Sequence, residues 1–448
     1  MKYGSLCGTW ARWGVFLTPM LVTGAACSGL ESDDVDGFSA EEWKTVKDMQ
    51  PLATPMPSNP ANNRADDEAV ARLGQMLFFE YDASEALTVD SSLGKKGEAG
   101  KVACVTCHDP KKYFADSRPD PTSTGRAGPQ SRNSPALVNL SWFPFAGWMG
   151  QFDSLQMHGS VAMGGWGTRL AGVHYIYRKY RDEYNTLFPT TPLDPALDPM
   201  APDAARFPLT GNPKPKATDP DGPWERMTPA DQKHVMQIMY NIGRTWDAYP
   251  RRLTTHGSPF ERYVTGDYGA LDPAAKRGLR LFINKAACND CHKGPLLSDG
   301  EAHNIAVAKA PAAMTPDMGR FAAIPGMLTS PFNGGGEFSD DRAYGQMKLA
   351  GMPPVSDSMK GAFRTPTLLN VAETGPYFHT GLVNTLEDVV RHYNKGGSDD
   401  TSTFAGTKDA KLKPLMLTDG EVADLVAFLK SLTGNLPDES WMRDIAKH

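Results

Sequence analysis

The segments Cys104-Val105-Thr106-Cys107-His108 and Cys288-Asn289-Asp290-Cys291-His292 repeat one arrangement, Cys-x-x-Cys-His. Two thiols three positions apart on a turn entering a helix can each add to one vinyl group of a haem. The adjacent His then lies under the iron as proximal ligand. With six Cys and ten His in 448 residues, chance gives the pattern about 0.002 times per chain, so it does not account for two copies. The competing chemistries are a zinc site and a redox dithiol. A four-ligand zinc site needs the two pairs to meet, yet they lie 184 positions apart and each carries its own His. The expected cofactors are two covalently bound c-type haems.

These motifs need helices to position them. Glu68 to Tyr81 places Val70, Leu73, Met76 and Leu77 at helical spacing. Thr228 starts a second helix with Asp231 as capping partner, continuing through Val235, Ile238, Met239 and Ile242. Asp272-Pro273 starts a third, which runs through Leu279, Leu281 and Phe282 into the second haem motif. Thr418 to Glu421 is a capping box before Val422, Leu425, Phe428 and Leu429. No region alternates as a strand does, so the expected class is all-α. Pro189 to Trp224 holds at least nine prolines without a period and reads as an insertion.

The other cysteines bear on the compartment. Residues 1–27 read as an export signal: Lys2 and Arg12, an apolar run from Trp13 to Thr23, then Gly24-Ala25-Ala26-Cys27. That ending resembles a bacterial lipoprotein signal, with Cys27 lipidated, although Gly24 stands where Leu is usual. Cleavage without lipidation is the alternative. Ser28 favours the outer membrane over the inner by resemblance to lipoprotein sorting. Cys7 leaves with the signal, so the mature chain has no spare thiol, which fits an oxidising compartment, the periplasm. Residues 28–65 are acidic and Pro-rich and read as a flexible tether. The net charge of −6 argues against a nucleic-acid partner.

From about residue 66 to 434 the chain resembles bacterial di-haem cytochrome c peroxidases and the related MauG proteins. Besides the haem motifs, the resemblance is carried by Leu77-Phe78-Phe79, Arg132-Asn133-Ser134-Pro135, Trp148, Ser258-Pro259-Phe260-Glu261-Arg262-Tyr263, Gly278-Leu279-Arg280-Leu281-Phe282, the segment Phe363 to Val371, and Gly375-Pro376-Tyr377-Phe378-His379. It implies two class I cytochrome c-like domains, drawn at 66–227 (with the insertion 189–224) and 228–448. The N-terminal haem would react with hydrogen peroxide. The C-terminal haem would exchange electrons.

The resemblance also implies ligands. Conventional members cap the resting first haem with a His between the first motif and Arg132; here Asp109 to Ser131 contains none, as in MauG-like members. The second haem takes a Met fourteen residues after the position of His379, where this chain has Tyr393. MauG-like members carry a ligating Tyr there. Tyrosinate favours oxidised iron, whereas a thioether favours ferrous iron; Met347 or Met352 is the alternative ligand. The family's distal Gln falls on His158, and its distal Glu falls near Ala162 or Thr168, neither of them acidic. His158 is open to three readings: acid–base group, iron ligand or structural residue. Trp148 matches an electron-relaying Trp. Asn133, Thr374 and Pro376 match a calcium site built mainly from amide and backbone oxygens.

Two classes of function follow. One is a peroxide-activating di-haem enzyme, either a MauG-like oxidase of a protein or other donor, or a peroxidase drawing electrons from a small cytochrome or cupredoxin. The other is a non-catalytic di-haem electron carrier. The His-free loop favours the enzyme, because a carrier normally keeps both irons six-coordinate.

Overall fold

The computed structural model describes residues 35–50, 52, 56–118, 132–162, 167–311 and 313–446, with the backbone of 124–125 and 128–129. The expected export signal and Cys27 lie outside these residues, as does part of the loop from Asp109 to Ser131. Regular structure is helical: α1 (Ala40–Asp48), α2 (Glu68–Phe78), α3 (Cys104–Cys107), α4 (Leu155–Ala162), α5 (Arg169–Leu187), α6 (Pro229–Ala248), α7 (Pro259–Val264), α8 (Pro273–Ile283), α9 (Arg320–Thr329), α10 (Arg342–Ala350), α11 (Leu386–Lys395) and α12 (Asp419–Lys430). Strand among the described residues is confined to two short antiparallel pairs. β1 (Thr124–Gly125) pairs with β2 (Gly128–Pro129), and β3 (Ala302–His303) with β4 (Phe363–Arg364).

Capping sets the helix starts. The Thr228 hydroxyl accepts from the Asp231 N–H at 3.1 Å, with Pro229 at the first turn of α6. The Asp272 carboxylate accepts from the Ala275 N–H at 2.7 Å ahead of α8. Thr418 and Glu421 form the reciprocal box that opens α12. Each cap satisfies backbone donors that the first turn would leave without partners.

Two lobes result. In the first, α6 turns Val235, Ile238, Met239 and Ile242 into a core shared with α5, and it crosses α2 and α4 at backbone contact. A methyl group at Gly159 would sit 2.3 Å from Trp246 Cβ, and one at Gly243 would sit 2.4 Å from the Gln156 carbonyl oxygen. In the second, α8 packs on α12 at the same closeness, a methyl at Gly278 falling 2.0 Å from the Asp424 carbonyl oxygen. Phe260, Phe282 and Phe428 fill that core edge to face.

The lobes do not follow the expected boundary at 227/228. α6 belongs with the first lobe because its apolar stripe faces α4 and α5. Residues 320–359 return there too, burying Ile324, Met327, Phe332, Phe338 and Met359. The tether expected over 28–65 is also corrected. Ser39 and Glu42 form a capping box that starts α1, and Phe38, Trp43, Val46, Met49 and Leu52 are buried in the second lobe. The acidic residues face out and hold the segment down: Lys276 pairs with Asp36 at 2.8 Å, and Asn284 donates to Glu42 at 2.6 Å. The insertion at 189–224 is likewise packed rather than loose. It buries Leu193, Leu197, Phe207 and Trp224 and hangs on His174, whose ring nitrogens reach the Leu197 and Phe207 carbonyls at 2.9 and 3.1 Å.

Trp43 is 7% exposed, with its ring edge-on to Tyr263 at 5.6 Å. Trp43→Ala is therefore expected to lower unfolding stability by about 3 kcal/mol in guanidinium titration. A change within about 0.5 kcal/mol, the usual range for a surface site, would restore the tether.

Candidate functional site

The first motif lies on α3, a single turn in which the Ala103 N–H is tied to the Thr106 hydroxyl at 2.9 Å. Cys104 and Cys107 form no disulfide. The chain then folds back through Tyr113 and Phe114, both in the left-handed region at φ 53° and 60°. This return brings the Phe114 carbonyl 2.9 Å from His108 Nδ1. A carbonyl only accepts, so Nδ1 carries the proton and Nε2 keeps its lone pair. Desolvation holds the His108 pKa below its usual value, so the ring is neutral and can bind a metal.

The second motif reaches the same end by another route. Cys288–Asp290 is a 3₁₀ turn, and Leu297, at φ 47°, presents its carbonyl 2.9 Å from His292 Nδ1. Beside it lies a largely apolar cavity of about 200 Å³ that opens to solvent. Cys288, Cys291, His292 and Tyr393 all line it, with Trp148, Arg364 and His379. Desolvation pushes the Tyr393 phenol above its ordinary pKa, so it stays protonated unless a cation faces it. No methionine is among the described residues lining this cavity. Met347 is 67% exposed on α10 and Met352 packs on the first core; both border a separate cavity.

Charge around the cavity is uneven. Arg364 is buried with its guanidinium over the Phe143 ring at 4.0 Å, and among the described residues its side chain bonds only backbone carbonyls, those of Gly147 and Thr365. Desolvation lowers its pKa to about 10. A buried cation without a carboxylate calls for an anion from elsewhere, and the carboxylates of a haem meet that need. The donor set, the cavity and this guanidinium fit the group. Nearby, His303 sits between Asp299 and Asp409 at 2.9 and 2.6 Å. Asp299 is the largest of the causes that raise its pKa to about 11. Sequence reasoning missed this cluster, because its members are scattered and none lies in a motif.

Trp148 stands between the lobes. Its indole N–H donates to the Asn133 carbonyl at 2.7 Å, and its own carbonyl accepts from the Arg364 N–H at 2.7 Å. The Asn133 side-chain amide meets the Pro376 carbonyl at 2.9 Å, while Asn133 Oδ1 is buried with no hydrogen-bond partner. An orphaned buried oxygen beside a second carbonyl is what a hard cation would use. The Thr374 hydroxyl turns away, toward the Val371 carbonyl at 3.4 Å.

On the far side of the first motif, His158 projects from α4. Its Nδ1 accepts from the Trp246 indole N–H at 3.0 Å, and its ring lies 4.5 Å from that of Phe152. Desolvation, then the nearby His108 ring, lowers its pKa to about 4. Neither position expected for a distal Glu supplies another group: Ala162 is exposed at the end of α4, and Thr168 caps α5 through the Ala171 N–H at 3.2 Å. Trp246 is a further residue that sequence reasoning missed, since a Trp inside an amphipathic helix reads as core.

The family model of the di-haem cytochrome c peroxidases matches residues 68–201. The chain is 30% identical to cytochrome-c peroxidase IdrP1 of Denitromonas iodatirespirans over 383 residues, covering 84% of this chain and 85% of that one. It is 27% identical to methylamine utilization protein MauG of Methylorubrum extorquens over 420 residues, 92% of each. Its fold is similar to the crystal structure of the diheme peroxidase BthA from Burkholderia thailandensis, with TM-score 0.56 at 20% identity over 86% of this chain and 94% of that one.

His303 yields a pH-dependent prediction. Its proton is held in the folded chain up to about 11 but is lost near 6.5 when unfolded. Its stabilisation is therefore full below about pH 6.5 and disappears as pH rises toward about 11. His303→Gln should cost about 3 kcal/mol at pH 6 and progressively less at pH 8 to 10, read from denaturant midpoints. A cost independent of pH would show that the imidazolium is not the stabilising species.

Proposed function

The chain belongs to the di-haem cytochrome c peroxidase family, and we propose from that premise that it is a MauG-like member. In this reading it activates hydrogen peroxide at the first haem and oxidises a protein or other donor through the second. The observation that carries the reading is Tyr393 in the cavity of the second motif, with no described methionine beside it. The absence of His between Asp109 and Ser131 supports it from the other lobe.

The residues divide the work. Two cytochrome c-like lobes each hold one haem. Cys104 and Cys107 would hold the first group by thioether bonds and Cys288 and Cys291 the second, with His108 and His292 as proximal ligands. When bound, each haem would supply an iron that exchanges electrons and, at the first site, could take an oxygen ligand. The Phe114 and Leu297 carbonyls hold the proximal rings in one tautomer and one orientation. Tyr393 would hold the second group as tyrosinate, since a facing metal charge would offset the desolvation that otherwise keeps the phenol neutral. Arg364 receives haem carboxylates. Trp148, pinned through both its indole and its backbone, carries oxidising equivalents between the lobes. Asn133 and the Pro376 carbonyl, with Thr374, would hold a calcium ion, whose charge would stiffen the same junction. Residues 1–27 direct the chain to the periplasm, and lipidated Cys27 ties it to the outer membrane.

Iron analysis should return about two haems per chain. The purified protein should show one high-spin haem that binds cyanide without prior reduction, and one low-spin haem. Tyr393→Met should leave cyanide binding unchanged and raise the potential of the low-spin haem by on the order of 0.1 V or more, within the roughly 0.8 V span set by axial ligands. An unchanged potential removes Tyr393 as ligand. Rapid turnover of peroxide with a reduced small cytochrome would assign the conventional peroxidase instead.

Calcium is tested separately. Dialysed protein should retain about one calcium per chain by metal analysis, and Asn133→Leu should retain almost none. Equal calcium in both would remove Asn133 from the site.

A further inference from the structure

The reading above leaves the part played by His158 open, and the inference here rests on that reading. Distal groups in haem enzymes can act as bases, as ligands or as hydrogen-bond donors. The three differ in where the imidazole keeps its proton. A base or a ligand needs a lone pair on the nitrogen facing the iron; a donor needs a hydrogen there.

The structure fixes this choice through the other nitrogen. His158 Nδ1 lies 3.0 Å from Trp246 Nε1. An indole N–H donates and never accepts. Nδ1 must therefore be the acceptor, and the proton of the neutral ring sits on Nε2. A doubly protonated ring would set N–H against N–H in a desolvated place. Among the described residues no group hydrogen-bonds Nε2. Neither partner can turn easily. Trp246 is buried and stacked on Phe78 at 5.8 Å, and Gly159, next to His158, lets α4 press onto the Trp246 Cβ. Phe152 lies against the imidazole at 4.5 Å.

We propose that Trp246 is a positioning residue that fixes His158 as a neutral donor with its proton on Nε2, so that His158 neither ligates the first iron nor takes a proton from peroxide, but holds a peroxide oxygen by donating to it. A permanent donor needs no proton transfer of its own. The proton that must move between the peroxide oxygens travels by another route, such as solvent.

The test compares variants of the haem-loaded protein. Gln at position 158 keeps an N–H donor but cannot serve as a base at neutral pH. H158Q should therefore keep the high-spin resting spectrum and react with hydrogen peroxide within about tenfold of wild type. H158L should lose more than tenfold, because it has no donor. A base typically supplies 10²- to 10⁴-fold, so a loss of 10² or more in H158Q, matching H158L, overturns the proposal. A wild-type low-spin first haem that becomes high-spin in H158Q also overturns it, by making His158 a ligand. W246F removes the indole donor and keeps an aromatic ring. It should release Nε2 and add a low-spin signal at the first haem, which H158Q then abolishes in the double variant. A W246F spectrum identical to wild type denies Trp246 its positioning part. Should W246F fail to load haem, the H158Q and H158L comparison decides alone. If wild type and H158Q both refuse cyanide and peroxide, the peroxide reading itself falls and takes this one with it; failure confined to the variants leaves that reading standing.

Discussion

Where α4 crosses α6 there is no room for a methyl group. Gly159 and Gly243 bring the two backbones into contact, and much of the first lobe follows from that closeness. It brings the Trp246 indole within hydrogen-bond reach of His158. It lets α6 serve at once as the wall behind α2 and the platform under α5. Close-packed interiors relax little around added atoms, so a side chain at either glycine would shift the His158 imidazole as well as the helices. Packing and chemistry are therefore one constraint here.

The two motifs show how different local folds meet one chemical requirement. To bind iron, the His of each motif would need a protonated Nδ1 and an open Nε2. One lobe satisfies this with a short helix and a return through two left-handed residues, the other with a 3₁₀ turn and one left-handed Leu. Each ends with a backbone carbonyl 2.9 Å from the ring. A carbonyl suits the purpose better than a side chain because it cannot rotate away or titrate. Electrostatics then differ around the second site. Arg364 meets only backbone carbonyls among the described residues, whereas His303 sits between two carboxylates.

Much of the site is legible in the sequence, and what is not has a common cause. The haem motifs carry their chemistry in consecutive residues. The helix starts at Thr228, Asp272 and Thr418 announce themselves by local capping. Tyr393 emerges only by counting from His379 in a resemblance. Trp246, Arg364 and the pairing of Asp299 with Asp409 around His303 depend on contacts between distant segments, which no local pattern encodes. The misreading of residues 28–65 has another origin. Acidic and Pro-rich composition masks Phe38, Trp43, Val46 and Met49, whose spacing over one short helix is too brief to register as a period. The boundary at 227/228 is not legible because the residues that tie α6 to α4 and α5 lie on segments distant in sequence.

The path of the chain shows how far sequence order and spatial order differ. Residues 38–52 lie in the second lobe, 70–253 mainly in the first, 260–297 in the second, 324–359 in the first, 369–432 in the second, and Trp441 returns to the first. The lobes are interlaced like two loops of one knotless braid. A cut between 253 and 260, 297 and 324, or 359 and 369 leaves two fragments that each contribute to both cores, so the nicked chain has no free half to release. Mechanical separation of the two sites requires several strands of the path to be pulled out together. The placement of the two haem motifs relative to one another is thus held by the route of the backbone as well as by side-chain packing.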